Sequence, residues 1–157
     1  MTDQSIAARL TEALAEPSRV LVVDDHDLFA SMMRRILEEV GMDVTLAPTG
    51  TEGLRIFQSA ARDFQPSRQH RSPFDLIFID VRLPDIPGQQ VAKGIRALWP
   101  DQVLILMSGY DIEHDPDLGL IGLWFKGGRD GQMAEMMFQD IRRLCRTLGI
   151  PVTSTPL

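Results

Sequence analysis

Five side chains suited to phosphoryl chemistry lie at the ends of short apolar runs in this chain of 157 residues. They are Asp24, Asp25, Asp80, Ser108 and Lys126. Carboxylate oxygens suit Mg²⁺, which proteins usually bind through one or two carboxylates and several waters. Such a cation relieves the repulsion among neighbouring carboxylates and neutralises an incoming phosphoryl group. The residue types therefore predict a site for a divalent cation and a phosphoryl group.

A parallel sheet is needed to bring these side chains together. Short apolar runs at 20–23, 44–46, 76–79, 103–107 and 120–125 alternate with helical patterns, which is typical of buried parallel strands. In an open parallel α/β sheet, functional groups gather at the carboxyl ends of the strands. The pattern therefore predicts an α/β domain with a doubly wound, five-stranded parallel sheet and the chemical side chains on one edge.

The sequence predicts three segments, which are an N-terminal helical extension at 1–18, the α/β domain at 19–149 and a disordered tail at 150–157. The extension is predicted to be a helix because its apolar residues are spaced by four and Pro17 ends the pattern. The polar stretch 62–73 contains two prolines and several arginines, so it is interpreted as an exposed loop inserted before the third strand.

Helical periodicity also predicts which side chains face the core in the helix that starts near Asp27. The predicted buried face consists of Leu28, Phe29, Met32, Met33, Ile36, Leu37 and Val40. Gly41 is predicted to terminate this helix. Thr49 and Glu52 have the spacing of a capping box, so a further helix is expected to begin there.

Composition is that of an ordinary soluble globular protein, with 44% hydrophobic and 24% charged residues. No apolar run approaches the length of a membrane span, and the N-terminus lacks the basic flank and apolar region of a secretory signal. We therefore expect no membrane partner.

The net charge of −6 argues against nucleic acid as a partner. Cys145 is the only cysteine, so no internal disulfide can form and a cytoplasmic location is expected.

The remaining residues of chemical interest have structural interpretations. His26 opens a predicted helix and is interpreted as a pocket-rim or capping residue rather than a metal ligand. His70 and His114 lie in predicted loops, without a cysteine or histidine partner at zinc-site spacing. Cys145 lies on the apolar face of the last helix and is predicted to be a packed core thiol.

Asp80 is the predicted nucleophile because it stands alone at the end of its strand, and its carboxylate could form an aspartyl phosphate. Asp25 and Asp80 could bind the cation directly, with Asp24 acting through a water molecule. Ser108 could donate its hydroxyl to one phosphoryl oxygen, and the Lys126 ammonium could pair with another.

These motifs resemble those of two-component response-regulator receiver domains, over about residues 19–149. They are VLVVDDHD (20–27), FDLIFIDVRLPDIPG (74–88), ILMSGY (105–110) and WFKGG (124–128). Each motif alone is a weak signal, but the four in this order on predicted strands are a strong one. The resemblance implies a flavodoxin-like receiver fold.

The same resemblance implies a role for each matching residue. Asp80 would be the phosphoacceptor, Asp24 and Asp25 would be metal residues, and Ser108 and Lys126 would bind the phosphoryl group and act in switching. The implied cofactor is Mg²⁺ or Mn²⁺.

Two further positions flank the implied phosphorylation site. Arg82 would contribute its backbone carbonyl as a metal ligand, together with Asp80. In the family, positions such as those of the Arg82 and Tyr110 side chains tune dephosphorylation, and we hypothesise that both shield the acyl phosphate from water.

We therefore expect a single-domain response regulator that takes a phosphoryl group from a histidine kinase or histidine phosphotransfer protein. It would catalyse only its own phosphorylation and dephosphorylation, so it would be a signalling domain rather than an enzyme. Because only a short tail follows the domain, no DNA-binding output domain is expected, and the signal would pass to an unidentified downstream protein. The N-terminal helix would either mediate docking or homodimerisation or be a solvated leader.

Two departures from the family pattern leave alternatives open. Gly127 follows Lys126 where the family has proline, and a cis bond to a non-proline residue costs about 2.5–4 kcal/mol, so a trans bond or a remodelled loop is expected. Leu123 stands where the family has its switch aromatic.

One alternative is a receiver-like binding module that works without phosphorylation, and another is the receiver portion of a hybrid kinase or phosphorelay protein. A metal-dependent phosphatase is disfavoured because Arg82 stands where such enzymes need a second acid.

Overall fold

Strands and helices alternate along the chain in the computed structural model, which describes residues 4–7, 16–108, 122–125 and 133–152. The elements in chain order are β1 (Arg19–Val23), α1 (Asp27–Glu39), β2 (Asp43–Ala47), α2 (Gly50–Asp63), β3 (Leu76–Asp80), α3 (Gly88–Leu98), β4 (Leu104–Ser108), β5 (Gly122–Phe125) and α4 (Met133–Leu148). Residues 4–7 are also helical and exposed, and residues 16–18 of the predicted helical extension are not helical. The rest of that extension, at 1–3 and 8–15, lies outside the described residues.

The strands form one parallel sheet with the order β2-β1-β3-β4-β5. Every residue of β3 and β4 is buried, which explains why these strands are continuous apolar runs rather than alternating ones. In the register of the sheet, Val23 pairs with Ile79 and Asp80 pairs with Met107. The prediction of an α/β fold with a parallel sheet is therefore confirmed.

Successive side chains of the strands enter two separate apolar layers, one on each face of the sheet. Val20 and Val22 of β1 belong to the layer that α1 and α4 cover. Leu21 and Val23 belong to the layer that α2 and α3 cover. Among the described residues, helices therefore cover both faces of the sheet. None of the helices in the described part of the chain is long and apolar enough to cross a membrane.

Cys145 lies in the layer beneath α4 and is fully buried. Burial disfavours the thiolate and raises the pKa of the thiol to about 11. The prediction of a packed core thiol is confirmed, and the high pKa makes the group a poor nucleophile at neutral pH.

The ends of the helices follow local rules that the sequence displays. The Thr49 hydroxyl accepts a hydrogen bond from the Glu52 N–H at 3.1 Å, which confirms the predicted cap of α2. Gly41 has a φ of 89°, a left-handed conformation that glycine adopts without steric cost, and it terminates α1 as predicted. The prediction for Leu28 is wrong, because this side chain is 90% exposed in the first turn of α1.

The segment before β3 differs from the exposed loop that its composition predicts. Most of its residues are exposed, but His70 is buried. The His70 Nδ1 lies 2.9 Å from Asp75 Oδ2, and its Nε2 lies 3.3 Å from Glu16 Oε2. Asp75 Oδ2 also accepts a hydrogen bond from the Arg19 N–H at 2.7 Å. His70 therefore anchors the loop to the amino-terminal ends of β1 and β3.

We predict that His70→Ala lowers the free energy of unfolding by about 1–3 kcal/mol, because it removes a buried hydrogen-bond partner of Asp75. Urea denaturation followed by circular dichroism measures this difference. Arg68→Ala in the same loop is the matched control, because Arg68 is exposed. Equal stability of the two variants would contradict the anchoring role of His70.

Candidate functional site

Three carboxylates converge at the carboxyl-terminal edge of the sheet. Asp24 and Asp25 follow β1, and Asp80 is the last residue of β3. One ligand atom from each of these residues and from His26 lies within 4.8 Å of the others. Asp24 and Asp80 are only 3% and 4% exposed, whereas Asp25 is exposed. We call this group of four residues the acid pocket.

The sheet itself fixes the positions of these carboxylates. β1 and β3 are neighbours in the strand order, so residues that follow them meet at the same edge. The Asp24 N–H donates to the Ala47 carbonyl at 3.0 Å, which extends the pairing with β2 past the end of β1. The Val81 N–H likewise donates to the Met107 carbonyl at 2.9 Å. Asp24 and Asp80 are therefore held by backbone pairing on strands that are buried on both faces.

His26 lies at the rim of the acid pocket, as its sequence context predicts, since its side chain is 66% exposed. It is the N-cap residue of α1, as the capping interpretation proposes, but its side chain makes no capping hydrogen bond. Its Nδ1 instead lies 3.2 Å from Asp24 Oδ1, 3.3 Å from Asp25 Oδ1 and 3.7 Å from Asp80 Oδ2. The imidazole is thus a member of the acid pocket, and its approach to all three carboxylates is the part that the sequence alone does not predict.

The predicted flanking and switch residues are described only in part. The Arg82 N–H donates to Asp80 Oδ1 at 3.2 Å, which restrains the Asp80 carboxylate. Ser108 is buried and ends β4, the strand beside β3. Lys126 and Tyr110 lie outside the described residues, so their predicted positions at this site remain predictions. The side chain of Leu123 lies outside them as well.

The loop after β3 is tied to the first turn of α2 by Asp85. Its Oδ1 accepts from the Gly50 N–H at 2.9 Å and its Oδ2 accepts from the Thr51 N–H at 2.7 Å. The pKa of Asp85 is held well below its ordinary value by hydrogen bonds. The largest effect comes from the Thr51 side chain, followed by the Thr51 backbone and the Gly50 N–H. Sequence reasoning missed this residue because its partners lie about 35 positions away in the chain.

Gly88 closes the other end of the same loop. Its N–H donates to the Val81 carbonyl at 2.9 Å. A Cβ at this position would collide with the backbone carbonyl oxygen of Asp80. Only glycine therefore allows α3 to begin so close to the phosphoacceptor candidate.

The donor set of the acid pocket fits a small divalent cation. Three carboxylates supply hard oxygen atoms from converging strand ends, and two of them are buried. Neighbouring buried carboxylates repel one another, and a bound cation would relieve that repulsion. Asp24, Asp25 and Asp80 would hold the ion.

Comparison with known proteins gives a consistent result. Residues 20–119 match the family model of the response regulator receiver domain. The probable transcriptional regulatory protein TcrX of Mycobacterium tuberculosis is 28% identical over 145 residues, which cover 90% of this chain and 55% of TcrX. The regulatory protein LuxO of Vibrio vulnificus is 34% identical over 89 residues, which cover 57% of this chain and 17% of LuxO. The chain thus spans about half of TcrX and a small part of LuxO.

Solved structures show the same fold. A CheY-like response regulator receiver domain protein from Methanospirillum hungatei has a TM-score of 0.65 and 22% identity, covering 85% of this chain and 98% of that one. The response regulator TrrA from Thermotoga maritima, solved in complex with Mg²⁺ and BeF, has a TM-score of 0.65 and 24% identity, covering 83% of this chain and 98% of that one.

We predict that the stability lost in Asp85→Asn depends on pH. The lowered pKa means that the Asp85 carboxylate stabilises the native state fully above its unfolded pKa of about 3.9. This contribution is lost as the pH falls through the lower native pKa. Urea denaturation of the unchanged protein and of Asp85→Asn between about pH 6 and pH 2.5 should therefore show a difference in unfolding free energy that becomes smaller in acid. A difference that is constant across this range would contradict the role of the charge.

We predict that Gly88→Ala lowers the free energy of unfolding by about 1–3 kcal/mol, because the new methyl group overpacks against the Asp80 backbone. Gly94→Ala in the same helix is the matched control, since its Cβ would meet the flexible end of the Leu54 side chain at 2.8 Å. Thermal and urea denaturation compare the two variants. A larger loss of stability in Gly94→Ala than in Gly88→Ala would contradict this prediction, because the collision with the Asp80 backbone would then not be the costlier contact.

Proposed function

The chain belongs to the response regulator receiver domain family, and from this premise we propose that it accepts a phosphoryl group on Asp80 in a Mg²⁺-dependent reaction. As a receiver domain it is a signalling domain rather than a classical enzyme. The observation that carries the proposal is the convergence of the Asp24, Asp25 and Asp80 carboxylates at one edge of the sheet, two of them buried.

In the proposed reaction, an Asp80 carboxylate oxygen attacks the phosphorus of a phosphohistidine on a histidine kinase or phosphotransfer protein. A phosphorus–oxygen bond forms while the phosphorus–nitrogen bond breaks. The electron pair of the broken bond leaves with the donor imidazole, which takes up a proton. The product is an aspartyl phosphate, which water later hydrolyses to regenerate the carboxylate.

The residues around Asp80 have separate proposed tasks. The Arg82 N–H donates to Asp80 Oδ1 and so restrains the rotation of the nucleophile. Asp24, Asp25, Asp80 and the Arg82 carbonyl would hold Mg²⁺, which when bound supplies charge that offsets the carboxylates and the phosphoryl group. The burial of Asp80 limits the access of water to the acyl phosphate.

Ser108 and Lys126 are the proposed sensors of the phosphoryl group. Ser108 ends the strand next to β3, which supports the proposal that its hydroxyl donates to a phosphoryl oxygen. The Lys126 ammonium is proposed to pair with a second oxygen, because Lys126 directly follows the last residue of β5 in the sequence. Arg82 and Tyr110 are proposed to shield the aspartyl phosphate and so to set its lifetime. The output would be binding to a downstream protein through a shift between two conformations.

A second candidate function is a binding module that keeps the fold but works without phosphorylation. Gly127 and Leu123 favour it, because both depart from the family pattern at positions used in switching. The three converging carboxylates argue against it, because their repulsion has no evident purpose without a cation.

We predict that incubation with acetyl phosphate and Mg²⁺ adds the mass of one phosphoryl group to the protein, measured by intact mass spectrometry. Asp80→Asn should abolish the adduct because the amide is not a nucleophile, and chelation of Mg²⁺ should abolish it in the unchanged protein. Asp27→Asn is the matched control, because it removes an exposed carboxylate in the first turn of α1.

Two outcomes of this experiment would contradict the proposal that Asp80 is phosphorylated. An adduct that persists in Asp80→Asn would assign phosphorylation to another residue. Failure of the unchanged protein to form an adduct, with Mg²⁺ binding verified by titration calorimetry, would support the phosphorylation-independent module.

A further inference from the structure

The acid pocket contains a nitrogen donor beside its carboxylates. The Nδ1 atom of His26 lies 3.2–3.7 Å from one oxygen atom of each of Asp24, Asp25 and Asp80. The ring is not locked by packing, since its side chain is 66% exposed. It can therefore adjust its orientation when an ion enters.

These separations match those of ligand atoms around one metal ion. In octahedral coordination with bonds of about 2.1 Å, neighbouring ligand atoms lie about 3.0 Å apart and opposite ones about 4.2 Å apart. The distances of 3.2, 3.3 and 3.7 Å from Nδ1 to the three carboxylates are close to this range. An ion could thus contact the imidazole and the carboxylates at the same time with small movements of the side chains.

A neutral imidazole changes which ion such a pocket prefers. Carboxylate, carbonyl and water ligands suit Mg²⁺ and Mn²⁺, whereas imidazole suits later first-row ions such as Zn²⁺, and affinity generally rises from Mn²⁺ to Cu²⁺. We propose that His26 is a metal ligand through Nδ1 and gives this pocket a preference for divalent late first-row transition ions over Mg²⁺. The inference rests on the proposed function, because it assigns a further ligand to the same pocket.

The competing interpretation is that the imidazole only donates a hydrogen bond to the carboxylates. The backbone N–H of His26 already donates to Asp24 Oδ1 at 2.8 Å, so the residue has a structural contact without its ring. Under this interpretation His26 would affect Mg²⁺ and Co²⁺ affinity to the same extent, because it would only compete with either ion. The ratio of the two affinities therefore separates the interpretations.

The test is isothermal titration of Mg²⁺ and of Co²⁺ into the unchanged protein, His26→Phe and His26→Gln at one fixed pH. We expect Co²⁺ to bind more tightly than Mg²⁺ and both variants to weaken Co²⁺ binding by at least about tenfold, as losses at metal sites commonly do. Mg²⁺ affinity should change by much less. His114→Phe is the matched control, because it removes one of the other two histidines of the chain.

A spectroscopic readout identifies the ligand directly. The Co²⁺-loaded protein should show hyperfine-shifted imidazole ring protons in its ¹H NMR spectrum, and these should vanish in His26→Phe and on addition of excess Mg²⁺ but persist in His114→Phe. Absence of these signals, or an unchanged ratio of Co²⁺ to Mg²⁺ affinity in both His26 variants, would overturn the proposal. Phosphorylation of the same samples with acetyl phosphate and Mg²⁺ tests the proposed function separately, because it does not depend on His26 as a ligand.

Discussion

The sheet must hold carboxylates that repel one another at neighbouring strand ends. The remaining elements depend on how the fold meets this constraint. Asp24 and Asp80 are almost completely buried, and Asp25 lies close to both. Taking such groups out of water is costly, and placing them together adds to the cost. The strands that carry them compensate through continuous burial in two apolar layers. A stable scaffold thus holds a group of negative charges whose repulsion a bound cation would relieve.

The elements around the pocket join its chemistry to the helices. Asp85 connects the loop after β3 to the start of α2, and Gly88 lets α3 begin against the backbone of Asp80. One short loop therefore connects the strand end at Asp80 to two helices. His26 provides a similar link on the other side, since it is both the N-cap of α1 and a member of the pocket.

Much of this arrangement is predictable from the sequence, because apolar runs and local caps obey short-range rules. The strands and the cap at Thr49 follow from such rules. The meeting of Asp24 with Asp80 follows instead from the general rule that the carboxyl ends of parallel strands share one edge of the sheet. The features that were missed depend on partners distant in the chain. The burial of His70 requires Asp75 and Glu16, and the exposure of Leu28 depends on where α1 meets the sheet. Periodicity shows which face is apolar, but it does not show where that face ends.

The anchored loop before β3 has an engineering consequence. Asp75 accepts the Arg19 N–H and so fixes the alignment of β1 with β3 at the edge opposite the acid pocket. The residues at 65–69 are exposed, but Ser67 exchanges hydrogen bonds with His70, which belongs to this junction. Residues inserted before Ser67 would therefore lengthen the loop without removing the hydrogen bond between Asp75 and Arg19. A fluorescent protein inserted before Ser67 would lie at the edge opposite the acid pocket, so this part of the loop offers an attachment point for an optical biosensor.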